Sequence, residues 1–179
     1  MAADIGSDAA LDIYRALGSR VVDQITSVSS IAVWYEPADA EEEMRAWLGD
    51  LRFEAQPEGD LGARLAHAFA THFAAHPGEP AIAVGADAPD VDAAAIETAG
   101  NALRSTDVVL GPANDGGYYL IGLARPLPEL FQAMPWGTDE VLDATRAACK
   151  GMRITPELLP VLRDVDRVSD LKALGLWPS

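Results

Sequence analysis

Three turns carry residues suited to chemistry. Asp87 directly follows the apolar run Ala81-Ile82-Ala83-Val84-Gly85, and Pro89 stiffens the turn after it. A carboxylate there faces a strand-end crevice, where a hard cation such as Mg²⁺ or Mn²⁺ takes one or two carboxylates and fills its shell with water and phosphate. The competing role is a cap on the next helix, but Asp90 and Asp92 are better placed for that. Asp115-Gly116-Gly117-Tyr118-Tyr119 lies between two strand-like runs. Asp-Gly is a hairpin signal, whereas paired glycines also let a backbone approach a ligand. Gly111-Pro112-Ala113-Asn114 lengthens this connection beyond a two-residue hairpin and favours a shaped loop. Asp164-Val165-Asp166 sets two carboxylates on one side of an extended segment. They either complete a divalent site with Asp87 or form a solvated acidic loop.

A second group is polar. Gln56, Gly59, Asp60 and Arg64 surround a helix start, where Asp60 suits an N-cap and Arg64 is a cation able to hold phosphate. Trp136-Gly137-Thr138 is a turn whose indole either stacks on a sugar or packs. His67, His72 and His76 share one helix. The last two have the i, i+4 spacing of a zinc pair, but a polar helix face is the plainer reading.

These turns must be positioned by alternating elements. Leu11, Tyr14, Leu17, Val21, Val22 and Ile25 recur at helical spacing, with Ser7 or Asp8 as cap. Short strands are expected at 31–35, 52–56, 81–85, 107–110, 118–123 and within 152–159. Helices are expected from Asp39, from Asp60 (carrying Leu61, Leu65, Phe69 and Phe73), around Ile96 and Leu103, and from a Thr138 cap through Cys149. A helical turn is expected at 128–134 and a short terminal helix at 169–174. Strands alternating with helices predict an α/β domain with a mainly parallel, helix-covered sheet, its ligands at the carboxyl ends of the strands.

The 179 residues are 49% hydrophobic, enough for one domain spanning 1–179 with a sizeable core. A net charge of -15, with Lys150 and Lys172 as the only lysines, repels nucleic acid and anionic lipid. Cys149 is the single cysteine, so no internal disulfide forms. No signal segment or membrane-spanning run is read, and a cytoplasmic location is expected.

Taken in order, Gly59-Asp60-Leu61-Gly62-Ala63-Arg64, Gly85-Ala86-Asp87-Ala88-Pro89, Gly111-Pro112 through Asp115-Gly116-Gly117-Tyr118-Tyr119-Leu120-Ile121-Gly122, Trp136-Gly137-Thr138, and Asp164-Val165-Asp166 with Asp170-Leu171 resemble a prokaryotic family of GT-A glycosyltransferase-like proteins, some linked to arsenosugar biosynthesis. The chain is more distantly similar to phospholactate guanylyltransferases and molybdenum-cofactor nucleotidyltransferases. The resemblance implies a three-layer, Rossmann-like nucleotide-diphospho-sugar transferase fold. It also implies a nucleotide or nucleotide-sugar donor, a small-molecule acceptor and Mg²⁺ or Mn²⁺. Asp87 would match the metal aspartate, and Asp164 and Asp166 the second metal cluster. Gly116, Gly117 and Tyr118 would line the substrate pocket with Asp115, the candidate base. Trp136 and Thr138 would border the acceptor, and Gln56, Gly59, Asp60 and Arg64 would serve the nucleotide.

Two departures stand out. Arg167 follows the acidic triplet where the family usually has Thr. The family's first strand and its Gly-, Lys- and Arg-containing loop are also not found before Ala3-Asp4-Ile5-Gly6, so a central strand is expected to be missing. Its neighbours must then close up, pair with another chain in a homodimer, or expose their edges. Three activities stay open: glycosyl transfer, which releases a nucleoside diphosphate; nucleotidyl transfer, which releases pyrophosphate; and a non-catalytic remnant of the fold.

Overall fold

The computed structural model describes residues 6–163, so the expected terminal helix and the Asp164-Val165-Asp166 triplet lie outside the described residues. The elements alternate as the periodicity requires: α1 (Ser7–Ile25), β1 (Ala32–Tyr35), α2 (Glu41–Leu48), β2 (Arg52–Ala55), α3 (Leu61–Ala75), β3 (Ala81–Val84), α4 (Ala93–Ala102), β4 (Val108–Pro112), β5 (Tyr118–Leu123), a 3₁₀ turn (Pro128–Phe131), α5 (Val141–Gly151) and β6 (Glu157–Leu158).

Two sheets result. β1 and β2 pair in parallel, and a second sheet has the order β3-β5-β4-β6. β4 and β6 are parallel, while β5 runs against both β3 and β4. β3, β4 and β6 thus share a direction, and the reversed β5 makes the larger sheet mixed. The cause is local. β4 and β5 are joined by a turn too short for the crossover that a parallel pair needs. β1 and β3 do not pair, so each keeps one edge without a strand partner among the described residues.

Side chains alternate across the larger sheet into two cores. Ile82, Val84, Val109 and Leu120 face Val21 and Ile25 of α1 and Ile96 and Ala99 of α4. Ala81, Ala83, Val108, Leu110, Ile121 and Leu123 face Phe69 and Phe73 of α3, Phe131 and Cys149. This is helix, sheet, helix in three layers. β4 is buried throughout, whereas every residue of β3 is partly exposed. That contrast follows from β3's open edge.

Capping separates the expectations. Asp60 accepts from Ala63 N at 2.8 Å and Asp92 from Ala95 N at 2.9 Å, so both cap as their residue types require. α1 instead starts after Gly6, and α2 after Ala40 rather than Asp39, neither with a side-chain cap. Thr138 does not cap α5. Its hydroxyl donates to Pro135 O at 2.8 Å and accepts from Glu140 N at 3.3 Å, which closes the preceding turn, and α5 begins at Val141. Three apolar residues expected to face the core do not: Leu11, Tyr14 and Leu61 are 47%, 51% and 51% exposed.

Candidate functional site

β3 and β4 end at one edge of the sheet, and β5 begins there, because Val84 pairs with Leu120 and Pro112 with Tyr118. The Asp87 turn and the Asp115–Gly117 turn therefore flank each other across the start of β5. Tyr119 fastens this edge. Its carbonyl accepts from Gly85 N at 2.9 Å, its ring covers Gly111, and its hydroxyl donates to Pro160 O at 3.1 Å. Reading the sequence did not single out this role for Tyr119. The register shift between Gly111 and Pro112 is what frees the residue to turn its ring over β4.

Asp87 is exposed. Its carboxylate folds back over Gly85: a Cβ added there would stand 2.6 Å from Asp87 Oδ1. A side chain at 85 would therefore push the exposed Asp87 carboxylate aside. Asp115 is also exposed, and its Oδ1 accepts from Gly117 N at 2.8 Å, fixing the carboxyl as an Asx turn. Gly116 has φ 90°, a left-handed value that favours glycine, and a Cβ there would collide with the Asp139 backbone. Its carbonyl accepts from Leu142 N at 2.9 Å, docking the turn on the first turn of α5. The paired glycines thus have a folding reason as well as a place at the edge.

Tyr118 and Trp136 meet edge to face, with ring centroids 6.4 Å apart. The Tyr118 hydroxyl and Trp136 Nε1 are both buried without a hydrogen-bond partner. Burial pushes the Tyr118 pKa far up, slightly offset by the neighbouring Thr145 hydroxyl. That hydroxyl donates its own proton to Val141 O at 2.9 Å. The indole packs against Gly62, where a Cβ would lie 2.5 Å from Nε1 and 2.6 Å from Phe131 O. Trp136 therefore packs onto the start of α3. The Tyr118 hydroxyl is turned inward, away from any ligand at the edge.

The Gln56, Gly59, Asp60 and Arg64 group does assemble, at the ends of β1 and β2. Arg64 Nη1 lies 2.6 Å from Gln56 Oε1 and 2.6 Å from Glu36 Oε2, and Nε donates to Gly59 O at 3.2 Å. Gln56 Nε2 donates to Trp34 O at 3.0 Å. The guanidinium is thus engaged inside the protein, with its charge partly balanced by Glu36. Glu36 went unread in the sequence, although it follows β1 directly, much as Asp87 follows β3. The histidines stay on the helix face: His72 and His76 rings are 5.1 Å apart, and His72 Nε2 meets Glu79 O at 3.1 Å. Among the described residues no three His, Cys, Asp or Glu side chains cluster as metal ligands.

Two surface hollows lie away from this edge. One of about 300 Å³ is lined by Arg146, Lys150 and Ile154. Another of about 600 Å³, lined by Val28, Pro80, Ile82 and Ile96, opens at the amino end of β3. Neither contains the carboxylates described above. The strand-end edge is therefore the better site on chemistry, in agreement with the general placement of ligands in open α/β sheets.

Comparison with known proteins accords with this geometry. The profile of the family described as "Uncharacterized protein conserved in bacteria (DUF2064)" matches residues 21–138. A solved protein of Desulfovibrio desulfuricans G20, provisionally named a nucleotide-diphospho-sugar transferase, is 33% identical over 97% of this chain and 77% of its own, with a TM-score of 0.90. The 4-diphosphocytidyl-2C-methyl-D-erythritol synthase of Anaerococcus prevotii DSM 20548 is 12% identical, covering 88% of this chain and 86% of its own, with a TM-score of 0.65. The latter similarity is one of fold. No curated protein matches the chain. No helix among the described residues is long and apolar enough to cross a membrane.

Proposed function

The chain belongs to the bacterial family DUF2064, and we propose that it is a metal-dependent glycosyltransferase with a nucleotide-diphospho-sugar donor. The observation that carries the reading is the exposed Asp87 at the end of β3, flanked by the Asp115–Gly117 turn. The 33% identical protein of D. desulfuricans, with its provisional transferase name, supports the same chemistry.

An exposed carboxylate suits Mg²⁺ or Mn²⁺, which bind through one or two carboxylates and keep water and substrate phosphate as their other ligands. Asp87 is the described ligand, and Asp164 and Asp166 are proposed to complete the set. Bound there, the cation would neutralise charge on the departing diphosphate. The protein's own part is to orient and to move a proton. The Gly117 amide holds Asp115 Oδ1, so the carboxyl is fixed before substrate arrives. Asp115 accepts the proton of the acceptor hydroxyl as its oxygen bonds to the sugar carbon and the carbon–phosphate oxygen bond breaks. Gln56, Gly59, Asp60 and Arg64 form the nucleotide side. Arg64 acts there mainly by ordering Gln56 and Glu36, with Nη2 as the guanidinium nitrogen left for a ligand. Trp136 and Thr138 border the acceptor side.

A thermal-shift panel of nucleoside triphosphates and nucleotide sugars, with and without Mn²⁺, tests the reading. A Mn²⁺-dependent rise in Tm with a nucleotide sugar is expected, abolished by Asp87→Asn. Release of a nucleoside diphosphate marks glycosyl transfer. Pyrophosphate release would replace this reading with nucleotidyl transfer, and an Asp87→Asn protein that binds like the parent would remove Asp87 from the site.

A further inference from the structure

Glu36 stands at the junction of two strands and a helix. It directly follows β1, and Gln56 directly follows β2. The strands are parallel and Gln56 N donates to Tyr35 O at 2.8 Å, so both side chains leave from neighbouring carboxyl ends. Arg64, in the first turn of α3, joins them. Its Nη1 lies 2.6 Å from Gln56 Oε1 and 2.6 Å from Glu36 Oε2, while its Nε donates to Gly59 O at 3.2 Å. The other end of Gln56 is engaged too, because Nε2 donates to Trp34 O at 3.0 Å. The glutamine and most of the guanidinium are therefore committed inside the protein, and together they hold Glu36 in place. The Arg64 side chain is 29% exposed and that of Glu36 58%, so the carboxylate is the part of this group that a ligand reaches most easily.

Contacts join this group to the strand-end edge. Gly62, two residues before Arg64, packs on the Trp136 indole, where an added Cβ would lie 2.5 Å from Nε1. The Trp136 ring meets Tyr118 with centroids 6.4 Å apart. Tyr118 directly follows the Asp115–Gly117 turn. Charge then separates what the two ends can hold. An anion beside Arg64 meets Glu36 as well, and opposite charges 2.6 Å apart largely offset one another at the distance of a phosphate. A diphosphate is thus better placed at the edge, with a cation. An ionised carboxylate accepts hydrogen bonds and donates none. What suits Glu36 is a neutral ligand edge that carries donors, and a nucleoside has such donors in its ribose hydroxyls and base N–H groups.

We propose that Glu36 is a further substrate-contacting residue, whose carboxylate accepts a hydrogen bond from the nucleoside of the donor and so distinguishes a nucleotide from a bare diphosphate. This rests on the reading of Gln56, Gly59, Asp60 and Arg64 as the nucleotide side of the site.

Isothermal titration in Mn²⁺ with GDP, UDP, ADP and inorganic pyrophosphate tests this. Glu36→Gln is expected to weaken the best-bound nucleoside diphosphate about tenfold, the size of a lost hydrogen bond to a charged group, and to leave pyrophosphate within about twofold. Glu36→Ala, which removes the acceptor altogether, is expected to lose at least as much, and circular dichroism melts identify a variant that has unfolded. The 2′-deoxy form of the same nucleotide locates the donor. It binds the parent and Glu36→Gln alike if the 2′-hydroxyl is the donor, and loses about tenfold again if the donor is elsewhere on the nucleoside. Tighter binding of both nucleotide and pyrophosphate by Glu36→Gln would make Glu36 a counter-ion that restrains a phosphate clamp, and overturns the proposal. No change in either ligand overturns it too. Asp87→Asn in the same titration separates the two ideas. If it binds both ligands like the parent while Glu36→Gln loses only the nucleotide, the metal assignment fails and the role of Glu36 stands. If Asp87→Asn loses both ligands while Glu36→Gln loses neither, the reverse holds. A parent protein that binds no probe overturns both.

Discussion

At the residue scale, Tyr118 shows how a pocket position becomes a folding one. Its hydroxyl is buried beside Trp136 Nε1, and neither has a partner. Leaving a buried hydroxyl unpaired costs about 1–3 kcal/mol, so Tyr118→Phe is expected to hold or raise Tm. The same burial fixes a pH effect. The folded-state pKa of Tyr118 is raised. Its stabilising contribution is therefore fully present below the unfolded value of about 10 and is lost as pH rises beyond it. Melting curves from pH 8 upward should show stability falling above about pH 10, less steeply in Tyr118→Phe. An identical alkaline slope in the two proteins would assign the effect to other groups. Arg64 offers the converse case. Its fork, free in the sequence, is committed to Glu36, Gln56 and Gly59.

At the element scale, the turn from β4 to β5 and the start of α5 form one unit. Gly116 O accepts from Leu142 N at 2.9 Å, and there is no room for a side chain beside the Asp139 backbone. Gly116→Ala combines that collision with a left-handed φ of 90°. The expected cost is roughly 1–3 kcal/mol, read as a lower urea midpoint with an unchanged slope. A loss under about 0.5 kcal/mol, the size of an ordinary surface change, would mean that the turn shifts freely. Asp60 and Asp92 were legible as caps because capping is local: a short acceptor meets an amide two or three residues on. Thr138 was misread because two turn residues, Asp139 and Glu140, intervene before α5, and a hydroxyl can satisfy a turn as readily as a helix end.

At the scale of the whole molecule, one edge of β3 has no strand partner among the described residues. Ala81, Ile82, Ala83 and Val84 carry no charge and are all partly exposed, and β1 likewise has one edge without a strand partner among the described residues. Such edges template strand pairing. The chain is therefore expected to self-associate along β3 as protein concentration rises. The net charge of -15 opposes association, so added salt should strengthen it. Light scattering over a concentration and salt series reads this directly, and a sharp monomer at the highest concentration would count against pairing at that edge.

The sequence by itself determined the alternation of strands and helices, the helix-covered sheet, the placement of Asp87 and Asp115 just past strands, and the caps at Asp60 and Asp92. These depend on periodicity and on contacts between near neighbours. Only the tertiary structure decided that β5 runs against its neighbours, that Glu36 engages Arg64, and that Tyr119 ties three segments together. Each of those joins residues distant in the chain, and the packing of helices on the two faces of the sheet sets which of them meet.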